Sequence, residues 1–137
     1  MPSEHNGLPR RVMYVEDDPD IRAIAEIALE DVGGFTAALC ESGTEALAVA
    51  PGFAPELVLM DVMMPGMDGR STLRALRKLP GMAEIPVIFM TARLQRSEIQ
   101  EYRDLGAIGV IPKPFDPMTL SEQIAQILAD AAGSNFR

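Results

Sequence analysis

The feature of this sequence that most constrains its fold is the repeated alternation of short apolar runs with segments of helical periodicity. The apolar runs are Val12–Val15, Phe35–Cys40, Leu57–Met60, Val87–Met90 and Ile108–Ile111. Between them, apolar residues recur at helical spacing, and Gly or Pro pairs close several of these segments. Short strands that alternate with helices form parallel sheets. The sequence therefore predicts a doubly wound (βα)5 α/β fold, a five-stranded parallel sheet with helices on both faces.

The helical segments differ in the strength of their apolar patterns. The first has a regular apolar stripe between Ile21 and Val32. The second is short and is predicted to end at Pro51-Gly52, whereas the fifth is predicted to begin at Pro117. The fourth, at about residues 97–105, has a thin stripe, so we expect it to be the helix least firmly anchored by burial. The second strand alternates larger and smaller residues and is expected at an edge of the sheet.

Reactive side chains follow four of the predicted strands. They are Glu16-Asp17-Asp18, Asp61, Thr91 and Lys113. The carboxyl ends of parallel strands share one edge of the sheet, and that edge is where α/β sheets bind ligands. Carboxylates crowded together repel one another unless a hard cation lies among them. The pattern predicts a Mg²⁺ site at which phosphate chemistry takes place on an aspartate.

Each of these residues also has an ordinary explanation when it is considered alone. Asp18, directly before Pro19, is a suitable N-cap for the first helix, and Asp20 is another. The prediction of a functional site depends on their joint occurrence at the ends of several strands.

The composition excludes several classes of function. The net charge is −8, and no basic cluster is longer than pairs such as Arg10-Arg11, so direct DNA binding is not expected. Cys40 is the only cysteine, which excludes an intrachain disulfide and fits a reducing cytosol. His5 is the only histidine, which excludes a Ser-His-Asp triad within one chain and zinc sites built from histidines.

The length of 137 residues suits one domain, which we place at residues 11–132, with a flexible N-terminal tail at residues 1–10 and a C-terminal tail at residues 133–137. The N-terminal residues contain no apolar core of a signal peptide. No apolar run approaches the ~20 residues of a membrane span. We therefore expect a cytoplasmic protein without membrane association.

Five motifs resemble the receiver domain of two-component response regulators, a family with a CheY-like, flavodoxin-like fold. They are Val15-Glu16-Asp17-Asp18-Pro19, Asp61-Val62-Met63-Met64-Pro65-Gly66-Met67-Asp68-Gly69, Thr91-Ala92, Gly106-Ala107 and Lys113-Pro114-Phe115. The resemblance extends over about residues 11–131. It implies a strand order of 2-1-3-4-5 and an output surface formed by helix four, strand five and helix five.

The resemblance assigns a role to each matched residue. It implies that Asp61 is the phosphoacceptor, and that Glu16, Asp17 and Asp61 hold Mg²⁺ together with the backbone carbonyl of Met63. Asp18 then falls at a neighbouring acidic position that does not touch the metal.

For the other two strand ends, the resemblance implies contacts with the phosphoryl group. Thr91 would hydrogen-bond one phosphoryl oxygen, and Lys113 would pair with another. The Lys113-Pro114 bond would be cis. Val110 stands where the family often has an aromatic residue, so the aromatic switch that is usually coupled to the threonine is expected to be missing or altered. Helix four and the loop Thr91–Arg96 are then expected to carry the rearrangement.

The resulting functional prediction is a stand-alone receiver, monomeric or weakly dimeric. It would take a phosphoryl group from a sensor histidine kinase or a histidine phosphotransfer protein and signal by protein contact. It is not expected to act as an enzyme on other molecules. It would catalyse only its own phosphorylation and slow dephosphorylation. The alternatives are a receiver from a larger regulator or hybrid histidine kinase, and a pseudo-receiver interaction module, although the latter would usually lack Asp61, Lys113 or the acidic pair.

Two other classes of α/β protein have similar elements, but their sequence requirements are not met by this chain. A haloacid-dehalogenase-type phosphatase needs a second Asp two residues after the first, where this chain has Met63. A flavodoxin-like cofactor binder would need a Ser/Thr/Gly-rich phosphate loop after strand one. The acidic residues from Glu16 to Asp18 would instead repel a phosphate group unless a metal intervened.

Overall fold

A single parallel sheet forms the centre of the computed structural model, which describes residues 9–92 and 95–134. The strands are β1 (Arg11–Val15), β2 (Thr36–Cys40), β3 (Leu57–Asp61), β4 (Val87–Thr91) and β5 (Gly109–Pro112). Their order is β2-β1-β3-β4-β5, and all neighbouring strands are parallel. The predicted fold and strand order are therefore confirmed.

Helices cover both faces of this sheet. They are α1 (Pro19–Glu26), which continues as a π-helical turn at Ile27–Val32, then α2 (Gly43–Phe53), α3 (Gly69–Arg77), α4 (Arg96–Asp104) and α5 (Leu120–Ser134). Buried residues of α2, α3 and α4 share one hydrophobic core, and those of α1 and α5 share the other. Alternate residues of β1 enter different cores, since Met13 belongs to the first and Tyr14 to the second.

The edge position of β2 is also confirmed, because it pairs only with β1. Its residues are mostly half-buried, whereas every residue of β3 and β4 is buried. The Glu30 carboxylate accepts a hydrogen bond of 3.0 Å from the Ala37 backbone N–H at this edge. That bond satisfies a donor that an edge strand would otherwise leave unpaired.

Two helix boundaries differ from the sequence prediction. Helix α2 does not end at Pro51-Gly52 but continues to Phe53, and Ala54 closes it in a left-handed conformation with φ 53°. Pro51 cannot donate to the carbonyl four residues earlier, and the helix ends two residues after it. Helix α5 begins at Leu120 and not at Pro117, because Asp116 first forms a turn in which its carboxylate accepts the Met118 N–H.

The first helix departs from a regular amphipathic pattern. Ala25, Ala28 and Leu29 are buried as the apolar stripe predicts. Ile24 is 44% exposed and Ile27 52% exposed, and the helix changes to π-helical geometry after Glu26. An exposed apolar strip therefore runs along α1.

Helix α5 continues through Ser134, so its last two residues belong to the segment that the sequence suggests as a C-terminal tail. His5 and the other residues of the N-terminal segment up to residue 8 lie outside the described part of the chain. Among the described helices, none combines the length and the apolar character that crossing a membrane requires.

Candidate functional site at the carboxyl edge of the sheet

The ends of β1, β3, β4 and β5 bring the predicted site residues to one edge of the sheet. Three of these residues are almost completely buried, with exposures of 1% for Glu16, 2% for Asp61 and 2% for Thr91. Asp17 is exposed to solvent. Buried polar groups need partners, because an unpaired charge inside a protein is costly. The contacts of these residues therefore indicate what the site can bind.

Lys113 connects two of the buried carboxylates. Its Nζ atom lies 2.9 Å from Glu16 Oε1 and 3.0 Å from Asp61 Oδ1. Burial favours the neutral form of Lys113, but the two hydrogen-bonded carboxylates outweigh it, so the pKa of Lys113 is raised. The lysine is thus held as a cation beside Asp61.

Burial also affects the two acids. The pKa of Asp61 is raised because burial penalises its charged form, and the bond to Lys113 offsets only part of this effect. The pKa of Glu16 is raised for the same reason. A third carboxylate, Asp17, adds repulsion to Asp61. One ammonium group therefore does not fully compensate the acidic cluster.

Backbone contacts hold the loop after β1 in place. The Asp18 N–H donates to Glu16 Oε2 at 3.1 Å, and the Asp18 side chain caps α1 by accepting the Asp20 N–H at 2.8 Å. Of the two candidate caps, the structure selects Asp18. Arg22 Nη1 donates to the carbonyls of Glu16 and Asp17 at 2.7 and 2.9 Å. Sequence reasoning missed Arg22, since an arginine in the first turns of a helix gives no motif.

The loop after β3 is shaped by its glycines and by Asp68. Gly66 has φ 77°, a conformation that side chains rarely adopt. Asp68 caps α3 through a 2.8 Å bond from the Ser71 N–H. Gly69 lies so close to the Asp61 backbone that a Cβ atom would collide with the Asp61 carbonyl oxygen. The Asp-Gly pair therefore fixes the start of α3 directly against the end of β3.

Met63 contacts the site through its backbone. Its N–H hydrogen-bonds the Asp61 carboxylate, while its side chain is 66% exposed. The metal contact implied for its carbonyl remains a prediction. The Lys113-Pro114 bond is cis, as the resemblance implies.

Three carboxylates could hold a metal ion together. One oxygen from each of Glu16, Asp17 and Asp61 lies within 4.8 Å of the other two. Oxygen ligands suit hard cations such as Mg²⁺ and Ca²⁺. With Lys113 counted, three negative charges and one positive charge leave two negative charges, the number that one divalent cation neutralises. The donor set therefore fits a hard divalent ion.

On the other side of the crevice, Thr91 contacts an aromatic residue from α4. The Thr91 side chain hydrogen-bonds the Tyr102 hydroxyl. Tyr102 is 1% exposed, and its ring centroid lies 4.9 Å from that of Phe89. Burial raises the pKa of Tyr102, and the bond from Thr91 partly offsets this rise. The sequence placed Tyr102 only in the apolar stripe of the fourth helix, so this contact with Thr91 was not predicted.

Tyr14 is a second buried tyrosine near the site. It is fully buried in β1, and its ring centroid lies 6.3 Å from that of Phe115. Within the described part of the chain its hydroxyl has no hydrogen-bond partner. Burial is the main cause of its raised pKa, and the charges of Glu16 and Asp61 add to it.

Comparisons with known proteins agree with this arrangement. Residues 12–125 match the family described as the response regulator receiver domain. Response regulator Rre1 of Synechocystis sp. is 35% identical over 128 residues, which are 93% of this chain and 55% of that protein. The DNA-binding response regulator MtrA of Mycolicibacterium smegmatis is 32% identical over 117 residues, 85% of this chain and 50% of that protein.

Solved structures show the same fold. The chemotaxis protein CheY4 of Vibrio cholerae superposes with a TM-score of 0.81 at 29% identity, covering 88% of this chain and 99% of that one. The present chain spans about half the length of the curated relatives it matches. Because the family match covers most of the chain, this protein belongs to the response regulator receiver domain family.

Proposed function

We propose that the chain accepts a phosphoryl group on Asp61 from a phosphohistidine of a sensor histidine kinase or a histidine phosphotransfer protein, in a reaction that requires Mg²⁺. The observation that carries this proposal is the buried Asp61 carboxylate, held 3.0 Å from the Lys113 ammonium group within the acidic cluster. A carboxylate is a nucleophile in reactions that pass through an aspartyl phosphate.

In the proposed reaction, an Asp61 oxygen forms a bond to phosphorus while the bond between phosphorus and the histidine nitrogen breaks. The electron pair of the broken bond stays on the histidine, which takes up a proton when it leaves. Lys113 orients Asp61 and offsets negative charge on the transferred oxygens. The Thr91 hydroxyl donates a hydrogen bond to a phosphoryl oxygen. The product is an acyl phosphate, which is reactive enough to hydrolyse and so limits the life of the signal.

Glu16, Asp17, Asp61 and the Met63 carbonyl would hold the Mg²⁺ ion. When bound, the ion would neutralise negative charge on the oxygens of the transferred phosphoryl group. The support for this assignment is the oxygen-only donor set and its two uncompensated charges. Bonds from Lys113 and from the Asp18 N–H already orient Glu16, so the donor set is partly organised.

An exposed apolar surface beside the crevice supports the proposed phosphodonor partner. Ile24 and Ile27 of α1 are exposed, and Ile21, Ile24, Pro114 and Phe115 line a small apolar pocket that also includes Lys113. Contiguous apolar residues at the surface often mark protein contacts. A protein that docks here would bring its phosphohistidine close to Asp61.

A second candidate concerns the whole protein to which this domain contributes. The chain spans 55% of Rre1 and 50% of MtrA, the latter described as a DNA-binding regulator, which favours a receiver that controls a further domain. The near-complete coverage of CheY4 favours a receiver that acts alone by protein contact. In both cases we propose that residues 11–132 themselves do not bind DNA, because the chain is acidic overall. Salt-sensitive binding to duplex DNA in a gel shift would contradict this.

Intact-mass spectrometry tests the proposed function. The protein is incubated with Mg²⁺ and a small acyl phosphate, and we expect one phosphoryl adduct that is lost in Asp61→Asn and in excess EDTA. Asp68→Asn is the matched control, since it changes a carboxylate of the same loop but keeps a good N-cap for α3. It should retain the adduct. An adduct that persists in Asp61→Asn, or that forms equally well in EDTA, would refute the proposal.

A further inference from the structure

Arg22, on the first turn of α1, connects this helix to the acidic loop Glu16–Asp18. Its backbone N–H donates to the Asp18 carbonyl at 3.0 Å, which closes the first turn. Long side chains in a helix point back towards its N-terminus, so the guanidinium group reaches the end of β1. There, Nη1 donates to the Glu16 carbonyl at 2.7 Å and to the Asp17 carbonyl at 2.9 Å. One nitrogen atom therefore bridges two consecutive peptide groups of the acidic loop.

These bonds fix the orientation of the peptide group between Asp17 and Asp18. In a trans peptide the C=O and N–H groups point in opposite directions. Because the Asp17 carbonyl faces Arg22, the Asp18 N–H faces the other way, where it donates to Glu16 Oε2 at 3.1 Å. The other oxygen of that carboxylate, Oε1, accepts from Lys113 Nζ at 2.9 Å. The direction of the Glu16 carboxylate thus depends on Arg22 through one peptide plane.

The ion pair of Arg22 is weak in comparison with its bonds to the loop. Its Nη2 atom lies 3.9 Å from Glu41 Oε2, and the Glu41 side chain is 67% exposed, whereas that of Arg22 is 19% exposed. A long ion pair with an exposed partner contributes little to stability. Short bonds from a charged donor are stronger, and those of Arg22 go to carbonyls. The guanidinium group is therefore placed to hold the backbone of the acidic loop.

We propose that Arg22 is a positioning residue for the divalent cation, which holds the backbone of Glu16 and Asp17 so that their carboxylates are in place for the ion. This proposal rests on the proposed function, because that function requires Mg²⁺ at the acidic cluster. One oxygen from each of these carboxylates lies within 4.8 Å of the other and of an Asp61 oxygen. Removing a group that orients metal ligands without touching the metal costs about 10–100-fold in affinity.

The charge of Arg22 acts in the opposite direction to its bonds. A guanidinium group beside the acidic cluster repels an incoming cation, so removal of the charge alone would strengthen Mg²⁺ binding. Removal of the bonds frees the loop and weakens binding. Asp17 is exposed to solvent, and solvent screens the repulsion. We therefore expect the loss of the bonds to dominate, and the sign of the change shows which effect governs.

Calorimetric titration of the unphosphorylated protein with Mg²⁺ measures this sign directly. Arg22→Gln is too short to bridge the two carbonyls, and its Kd should be about tenfold higher than that of the unmodified protein. Arg22→Lys keeps the charge and a donor with several protons, so its Kd should lie between the two. A Kd of Arg22→Gln that is equal to or lower than that of the unmodified protein would overturn the proposal.

Glu41→Gln is the matched control, because it removes the ion pair of Arg22 and leaves the bonds to the carbonyls intact. Its Kd for Mg²⁺ should stay within about twofold of the unmodified value, since an exposed pair at this distance is weak. A tenfold loss of affinity in Glu41→Gln would assign the effect to the ion pair and refute the positioning role.

Thermal unfolding distinguishes positioning from general stabilisation. If Arg22 only stabilised the fold, Arg22→Gln would lower the Tm equally in EDTA and in Mg²⁺. Bound Mg²⁺ stabilises the folded state, so it should raise the Tm of the unmodified protein. The rise should be smaller in Arg22→Gln, because tenfold weaker binding removes about 1.4 kcal/mol of this stabilisation at saturating Mg²⁺. A rise of the same size in both proteins would contradict the proposal.

The same measurements separate this proposal from the proposed function. If the unmodified protein binds no Mg²⁺, the proposed function itself fails. If the unmodified protein binds Mg²⁺ and Arg22→Gln binds it equally well, the proposed function stands and only the role of Arg22 is refuted.

Discussion

Helices α3 and α4 have the same length of nine residues and cover the same face of the sheet, but they are held very differently. Helix α3 starts with a side-chain cap from Asp68 and buries Gly69, Thr72, Leu73 and Leu76. Helix α4 has no side-chain cap and buries only Tyr102. Neighbouring helices of one domain thus differ in how much burial and capping secures them.

This difference corresponds to what each helix contacts. Helix α3 begins against the backbone of Asp61 through Gly69, so motion there would displace the proposed phosphoacceptor. Helix α4 contacts the site through the Thr91–Tyr102 bond. Weakly held elements are those that open at low free-energy cost. The firmly held side of the crevice therefore carries the proposed phosphoacceptor, and the weakly held side is the one that can move at low free-energy cost.

The largest expected effect comes from shortening a buried side chain of α3. Leu76 is fully buried, so Leu76→Ala should lower the free energy of unfolding by about 2–5 kcal/mol. Ile99 of α4 is only half-buried, and Ile99→Ala should cost about 1 kcal/mol or less. Urea unfolding measures both. Equal losses would show that the two helices are anchored equally and would break the comparison.

Removing the cap of α3 should have the next largest effect. Asp68→Ala should cost about 1 kcal/mol in urea unfolding, whereas Gln95→Ala at the start of α4 should cost less than about 0.5 kcal/mol. The bond from the Ser71 N–H is the main reason why the pKa of Asp68 is lowered in the folded protein. A lowered pKa stabilises the fold above the unfolded pKa, and this contribution is lost as the pH falls through the folded value.

The advantage of the unmodified protein over Asp68→Ala should therefore shrink when the pH is lowered below about 4, the ordinary value for an aspartate. Asp68→Asn is the control, because asparagine caps helices well but does not titrate. An advantage over Asp68→Ala that stays constant down to pH 2–3 would contradict the assignment of the cap to the charged carboxylate.

A double-mutant cycle measures how strongly α4 is linked to Thr91. The losses from Thr91→Val and Tyr102→Phe should fail to add by about 1 kcal/mol, because either change removes the same hydrogen bond. The control pairs Tyr102→Phe with Ser42→Ala, which removes a hydroxyl that caps α2. That pair should add to within about 0.5 kcal/mol. Additive losses in the first cycle would show that the Thr91–Tyr102 hydrogen bond does not link α4 to the site.

The smallest effect is expected for the ion pair between the two helices. Glu101→Gln weakens the contact with Arg70 and should cost about 0.2–1 kcal/mol at low salt, since both side chains are partly exposed. The loss should nearly disappear at about 1 M salt, where the Debye length is short. A larger, salt-independent loss would show that this pair, and not Tyr102, is the main anchor of α4.

Much of the site followed from the sequence because its residues lie next to strands. Asp61, Thr91 and Lys113 each follow a short apolar run, and parallel strands place their carboxyl ends at one edge. Helix ends were less predictable. Pro51-Gly52 favours a stop in any local pattern, yet the helix continues one residue further, to Phe53, before the cap at Ala54. The part of the predicted switch loop formed by Arg93 and Leu94 lies outside the described residues.

The sequence by itself determined the order of the elements, the meeting of three acids with a lysine, and the weak apolar stripe of the fourth helix. Only the tertiary structure decided that Tyr102 bonds Thr91, that Arg22 holds the acidic loop, and that the buried Tyr14 hydroxyl finds no partner among residues 9–92 and 95–134. Periodicity and strand ends are encoded locally, because they depend on neighbours along the chain. A contact between a helix and a strand end depends on how the helix docks and on its side-chain rotamers, which are settled only when the whole core packs.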